Sequence, residues 1–117
     1  MKEFGGYLEL EYFRGTEYHA DAIGVNSGRN ALLYILKARK IKNLYIPYFV
    51  CDAVYNICAE NGINYSRNCI NDQFLPLHPV SLQPDAWLYI VNAYGQLTDE
   101  TILKLKQQYY RIIVDNV

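Results

Sequence analysis

The stretch Trp87-Leu88-Tyr89-Ile90-Val91 is the most strongly strand-forming segment of the sequence. An unbroken apolar run of this length predicts a strand that is covered on both faces, as in the middle of a parallel sheet. A loop, Asn92-Ala93-Tyr94-Gly95-Gln96, follows it, and Thr98 comes next as a candidate helix N-cap with two acidic residues behind it. These are the residue types that favour the start of a helix. The segment therefore predicts a strand, a short loop and a helix.

The same alternation of strand and helix extends through the rest of the chain. Apolar runs and period-two patterns predict further strands at 22–25, 43–46, 63–70 and 110–114. One-face apolar patterns predict helices at 29–40, from Val50 to Asn61-Gly62, and from Thr98 to about Gln108. Residues 71–85 contain three of the four prolines and predict an extended crossing loop. Together they predict an α/β fold with a mainly parallel sheet and helices on both faces.

The domain organisation predicted from the pattern has two parts. We expect residues 1–21 to be an N-terminal arm, in which the period-two pattern at 6–11 predicts a short edge strand or part of the arm, and residues 22–117 to be one α/β unit. Parallel sheets are normally covered by helices on both faces, yet no helix follows the strand at 110–114. We therefore expect the 117 residues to be part of a longer α/β domain.

Composition excludes several classes of function. Apolar residues make up 51% of the chain and charged residues 20%, which excludes a disordered tail. A net charge of −1 gives no electrostatic case for a nucleic-acid or membrane-surface partner. The sequence has no apolar run of about 20 residues and no secretory signal, and its three cysteines show no C-x-x-C spacing. These features predict a cytoplasmic location.

Three loops are predicted at the carboxyl ends of strands, where open α/β sheets bind ligands. They hold Ser27-Gly28 at a helix start, the 92–96 loop, and Asp115 at the end of the last strand. A helix start of this kind favours an anion, but Ser is also the commonest plain N-cap. Asp115 is either a turn or capping residue, or a carboxylate that faces a ligand cation or a protonated ring nitrogen. No metal site is predicted, because neither His19 nor His78 has a ligand at metal-site spacing.

Four segments, taken in order, resemble a known family. They are VNSGRNAL (25–32), LYIPYFV (44–50), VNAYGQ (91–96) and IIVDNV (112–117). They are similar to the "SGT-AL", "VIVPSFTF", "VHLYGQ" and "VIEDAAQ" segments of DegT/DnrJ/StrS-type sugar aminotransferases. These are pyridoxal 5′-phosphate (PLP) enzymes of the aspartate aminotransferase fold, type I. The resemblance covers residues 22–117 and implies the amino-terminal part of the PLP-transferase large domain.

The resemblance implies a role for each matching residue. Ser27 and Gly28, at the start of a helix, would hold part of the PLP phosphate. Asp115 would pair with the pyridine nitrogen and keep it protonated, which makes the cofactor ring an electron sink. Arg29 stands where the family has a small or hydroxyl residue, and would either add a phosphate contact or cap the surface.

Two further positions of the implied cofactor site depart from the family pattern. Asn92 replaces the usual His of the "VHLYGQ" segment. The ring that stacks on the cofactor would fall at Cys51, which cannot stack, so Tyr48 or Phe49 would take its place. The family's Schiff-base lysine lies well beyond Asp115, in sequence that this chain does not contain. The resemblance therefore implies that the chain alone does not catalyse transamination.

The implied parent enzyme transfers an amino group from a donor such as glutamate to a keto-sugar or a similar carbonyl compound. The resemblance also implies a homodimer for the full-length protein, since family active sites lie at a subunit interface. Two alternatives stay open. One is a non-catalytic α/β module that binds a phosphorylated small molecule at Ser27-Gly28, or a receiver-like module with Asp115 as phosphoacceptor. The other is a degenerate aminotransferase relative that keeps the fold without the chemistry.

Overall fold

A computed structural model describes residues 15–117, so the edge strand predicted at 6–11 lies outside the described residues. In the described part, helices and strands alternate as the apolar patterns predict. The elements are α1 (Gly28–Ala38), β1 (Asn43–Pro47), α2 (Asp52–Glu60), β2 (Asn64–Asn68), β3 (Trp87–Asn92), a 3-10 turn (Ala93–Gly95), α3 (Asp99–Gln108) and β4 (Ile112–Asn116).

The four strands of the described part form one sheet in the order β2-β1-β3-β4, and every pair is parallel. The long apolar strand β3 lies inside the sheet, between β1 and β4. Val91 is in register with Asp115, and Asn92 with Asn116, so the ends of β3 and β4 meet at the carboxyl edge. The predicted α/β class and parallel sheet are confirmed.

Helices cover both faces of the sheet. Alternate residues of each inner strand point to opposite faces, so each strand contributes to both cores. One face carries Tyr89, Val91 and Ile113, which pack with buried residues of α1 and α2. The other face carries Leu88 and Ile90, which pack with buried residues of α3 and with the 69–86 segment. The β2–β3 connection contains one isolated bridge, between Ile70 and Pro76, and otherwise runs as the predicted crossing loop.

The strand predicted at 22–25 is wrong. These residues have no strand structure and lie on the surface, where Ile23 is 67% exposed and Val25 is 44% exposed. A strand needs a neighbour to accept and donate its backbone hydrogen bonds. Within residues 15–117 the edges of the sheet are β2 and β4, and neither pairs with this segment. An apolar run alone does not make a strand where no partner strand is available.

Several element boundaries differ from the predicted ones. Helix α2 begins at Asp52 rather than Val50, with Cys51 as its N-cap. Helix α1 ends at Ala38 rather than Lys40, because Lys40 adopts a left-handed backbone conformation with φ of 54°. Strand β2 is limited to the five residues that pair with β1. Strand β4 starts at Ile112 rather than Tyr110, whose side chain is 85% exposed. Across residues 15–117, none of the helices has both the length and the apolar character that crossing a membrane requires.

Candidate functional site

A cavity of about 510 Å³ opens at the carboxyl edge of the sheet. Its walls come from the junction of β1 and α2, the ends of β3 and β4, and the 3-10 turn. The lining residues are Tyr48, Phe49, Val50, Cys51, Val91, Ala93, Tyr94, Asp115 and Val117. This is the edge at which open α/β sheets bind ligands. Asp115 is the only acidic residue among them.

Asp115 reaches the cavity from the face of the sheet that α1 and α2 cover. It lies two residues after buried Ile113 on β4, so both point to the same face, and it is in register with Val91 of β3. The hydroxyl of Tyr89, which is also on this face, donates a hydrogen bond to Oδ2 of Asp115. No other hydrogen bond to this carboxylate exists among residues 15–117. One carboxylate oxygen is therefore held in place, and the second is available to a ligand.

Burial, and then the hydrogen bond to the Asp115 carboxylate and its negative charge, raise the pKa of Tyr89 far above its usual value. The Tyr89 hydroxyl therefore stays protonated and remains a donor at every physiological pH. The neighbouring Cys58 thiol is fully buried, and this burial raises its pKa from 9.0 to about 11. Tyr89 and Cys58, which lie in the core cluster with the lining residues Val91 and Ala93, are therefore neutral, and Asp115 is the acidic residue of the lining.

Aromatic rings form the outer wall of the cavity. Tyr48 and Phe49 are more than half exposed and both line it. The Phe49 ring packs against Phe74 at 5.8 Å between centroids, and the Arg67 guanidinium lies 5.6 Å from the centre of the Tyr48 ring. Cys51 lines the same wall, immediately before α2. The two rings predicted to replace the missing stacking residue are therefore placed beside Asp115.

Asn92 holds the turn at the base of the cavity. Its side chain is buried; Oδ1 accepts from the backbone N–H of Leu97 at 2.7 Å, and Nδ2 donates to Oδ1 of Asn116 at 2.9 Å. The turn between them contains Tyr94 and Gly95, both with positive φ. Asn92 is not among the residues that line the Asp115 cavity, and its amide oxygen and nitrogen are both hydrogen-bonded within the protein.

Ser27, Gly28 and Arg29 lie outside the walls of this cavity. Ser27 is the N-cap of α1, and its hydroxyl accepts from the backbone N–H of Asn30 at 3.3 Å. The other N–H groups of the first turn have no partner within a helix. A Cβ placed on Gly28 would meet nothing within 4 Å, so space for an anion lies beside the backbone there.

The start of α1 nevertheless belongs to the same face and edge of the sheet as Asp115. Leu32 and Leu36 pack into the cluster that contains Tyr89 and Val91. The end of α1 meets Asn61 and Ile63, just ahead of β2, at the amino edge. A helix of 11 residues is about 16 Å long, which is the length of a five-residue strand. Its first turn therefore lies toward the carboxyl edge.

Sequence reasoning did not identify Tyr89 as part of the site. It is a buried aromatic in the strongest strand, and such residues are normally read as core. The available signal was the hydroxyl, because a buried tyrosine needs a partner for its O–H. A second signal was its position in β3, because Tyr89 lies two residues before Val91, which is in register with Asp115. Within residues 15–117 there is no cluster of His, Cys, Asp or Glu that could hold a metal ion.

No protein-family model matches this sequence, and no curated protein matches it.

Proposed function

We propose that this chain forms the cofactor-facing part of the large domain of a PLP-dependent aminotransferase, with the anchoring lysine outside these 117 residues. The observation that carries the proposal is the Asp115 carboxylate, which ends β4 on the wall of a cavity with aromatic sides. The ordered resemblance of four segments to the DegT/DnrJ/StrS-type family supports the same proposal.

The pyridine end of PLP fits the residues of the cavity. Tyr89 fixes Oδ2 of Asp115, and Oδ1 remains to accept a hydrogen bond from a protonated ring nitrogen. When bound, PLP supplies an electron sink for the carbanion that forms at the α-carbon of an amino-acid substrate. Asp115 holds the proton on the ring nitrogen, because its negative charge favours the charged form of a neighbouring base.

The aromatic wall positions the ring. Tyr48 and Phe49 present exposed faces to the cavity, and Val91 and Ala93 add apolar surface. A flat ring packed between such groups excludes water from the carboxylate. Exclusion of water strengthens the attraction between Asp115 and a pyridinium nitrogen, because the local dielectric constant falls.

The phosphate end is assigned to the start of α1. Ser27 and Gly28 offer a hydroxyl, backbone N–H groups and open space, and Arg29 adds a positive charge. These residues lie on the same face and toward the same edge as Asp115. Asn92 contributes by holding the 3-10 turn whose residues line the cavity.

We assign the remaining properties to the full-length protein by the same reasoning. Its substrates would be an amino donor and a keto-sugar or similar carbonyl acceptor, and its active form would be a homodimer. We also propose a cytoplasmic location, which the three unpaired cysteines support, because disulfides are rare in reducing compartments.

Binding of pyridoxamine 5′-phosphate to the 117-residue chain tests the proposal. This cofactor form carries an amine in place of the aldehyde, so it does not condense with surface lysines, and its fluorescence anisotropy reports binding. We expect saturable binding that Asp115→Asn weakens by about tenfold or more, because hydrogen bonds to charged groups contribute about 1.5–3 kcal/mol.

Asp85→Asn is the matched control. It removes the same charge from an exposed residue that precedes β3, at the opposite edge of the sheet. We expect it to bind as the wild-type chain does. Absence of saturable binding, or equal affinity in the Asp115→Asn variant and the wild type, would contradict the proposal.

A further inference from the structure

Arg67 carries a positive charge on the outer strand of the sheet, next to the aromatic wall of the cavity. It lies in β2, and its guanidinium carbon is 4.4 Å from the centre of the Tyr55 ring and 5.6 Å from that of Tyr48. Arg67 is exposed even though its side chain lies against both rings. The two rings hold the planar group by cation–π attraction and leave its N–H edges open to solvent.

The rings of Tyr48 and Tyr55 form an aromatic platform under Arg67, and Tyr55 is itself held in place. The Tyr55 hydroxyl donates to the carbonyl oxygen of Pro47 at 2.7 Å, and the ring is buried. Tyr65, two residues before Arg67 and so on the same face of β2, packs against Tyr55 at 5.3 Å between centroids. A guanidinium on a fixed platform loses little conformational entropy when it binds a ligand.

Arg67 has no carboxylate partner within residues 15–117. The ion pair formed in this part of the chain joins Lys104 to Glu100, on α3. Burial raises the pKa of Tyr55, the Arg67 charge lowers it, and Asp52, in the first turn of α2, adds a small effect in the upward direction. Asp52 forms no salt bridge with Arg67. Among residues 15–117 the guanidinium is therefore an oriented cation without a counter-ion.

We propose that Arg67, with Tyr48 and Tyr55, forms a binding site for an oxyanion group, a carboxylate or a phosphate. The guanidinium presents parallel N–H groups that match two oxygens of such a group. Tyr48 separates this site from the Asp115 cavity, since its ring lines that cavity and also lies under Arg67. The proposal does not depend on PLP binding, because it involves neither Asp115 nor the start of α1.

Titration of the ¹⁵N-labelled 117-residue chain with inorganic phosphate, and separately with succinate, at constant ionic strength tests the proposal. The Arg67 Nε–H signal and the backbone amides around Tyr48 report binding. We expect saturable shifts of these signals with at least one of the two anions, and the stronger of the two identifies the ligand class. Saturation with neither anion would overturn the proposal.

Variants separate a built site from general attraction to positive charge. Arg67→Gln should weaken binding of the anion by about tenfold or more, and Arg67→Lys should weaken it less, because lysine keeps the charge without the paired N–H groups. Arg39→Gln removes the same charge from an exposed residue after α1 and should change the affinity less than about twofold. Equal losses in Arg67→Gln and Arg39→Gln would overturn the proposal.

A second pair of variants gives an independent result if Arg67→Gln disturbs the strand. Asp52→Asn removes the acidic residue of the platform and should tighten anion binding. Asp85→Asn, at the far edge of the sheet, should not. Asp115→Asn should leave the Arg67 shifts unchanged, so failure here and failure of the cofactor proposal are distinguishable. Unchanged affinity in Asp52→Asn would contradict the proposed site.

Discussion

The hydroxyl of Tyr89 on β3 donates a hydrogen bond to the Asp115 carboxylate on the neighbouring strand β4. The donor is buried in the core, while the acceptor lies at the cavity wall. This hydrogen bond connects a core residue of the sheet to the one acidic residue that lines the cavity. The orientation of the Asp115 carboxylate is therefore determined by a residue that no ligand needs to touch.

Tyr89→Phe removes this donor and keeps the ring. We expect the free energy of unfolding at pH 7 to fall by about 1–3 kcal/mol, because a partly buried carboxylate loses its hydrogen bond. Chemical denaturation measures the change, and Tyr45→Phe, whose hydroxyl makes a longer bond of 3.3 Å to Ser81, is the control. An unaltered free energy of unfolding in Tyr89→Phe would show that the bond contributes nothing to stability.

Asn92→Ala should destabilise the turn beside the cavity. The change leaves the buried N–H of Leu97 without an acceptor, at an expected loss of about 1–3 kcal/mol in the free energy of unfolding. Asn116→Ala removes only the exposed partner of the Asn92 amide and should have a smaller effect. Thermal unfolding of both variants makes the comparison. A larger loss in Asn116→Ala than in Asn92→Ala would contradict the role of Asn92.

Cys58 should make the protein less stable at alkaline pH. Burial raises the pKa of the Cys58 thiol from 9.0 to about 11, so the folded state holds the proton more tightly than the unfolded state does. The contribution of this thiol to the free energy of unfolding is complete below pH 9. It is lost as the pH rises from 9 to about 11, and the free energy of unfolding falls by about 2–3 kcal/mol. The raised pKa of Tyr89 acts in the same direction at higher pH.

Denaturation curves between pH 8 and pH 11 measure this loss. Cys58→Ala should show a smaller decrease across the range than the wild type, whereas Cys69→Ala, at an exposed position, should show the same decrease. Thiol labelling at pH 8 gives a second check, because Cys51 and Cys69 are exposed and Cys58 is buried. Labelling of Cys58 in the folded protein as fast as that of Cys69 would contradict this account.

Ser27→Ala should weaken the start of α1. The Ser27 hydroxyl caps the helix. Replacing such a cap with alanine costs about 0.5–2 kcal/mol, whereas replacing it with glycine costs only a few tenths of a kcal/mol. The order of stability should therefore be wild type, Ser27→Gly, Ser27→Ala. Chemical denaturation of the three proteins measures it. Equal stability of Ser27→Ala and the wild type would exclude a capping role.

Much of the fold followed from local patterns in the sequence. The apolar run at 87–91 predicted the inner strand β3, and Thr98 was correctly predicted as a cap, since its hydroxyl accepts from the N–H of Thr101. The strand prediction from the apolar run at 22–25 was wrong, because strand formation depends on a neighbouring strand, and a local sequence pattern does not show whether one is available. The order of the strands likewise depends on long-range pairing.

The candidate site was only partly predictable. Position at a strand end identified Asp115, because the carboxyl edge of a parallel sheet is a general binding location. The roles of Tyr89 and Arg67 depend on contacts across strands and between β2 and α2, which have no counterpart in residue spacing. The buried position of the Asn92 amide depends in the same way on how the chain turns after β3.

The protonation state of the ring nitrogen of bound pyridoxamine 5′-phosphate reports whether Asp115 is the partner of the pyridine ring. The ¹⁵N chemical shift of ring-labelled cofactor distinguishes a protonated from a neutral nitrogen. With the wild-type chain at pH 8 we expect a protonated ring nitrogen, and with any cofactor bound to Asp115→Asn we expect a neutral one. A neutral nitrogen in the wild type, or the same signal in both proteins, would contradict the assignment of Asp115 as the partner of the pyridine ring.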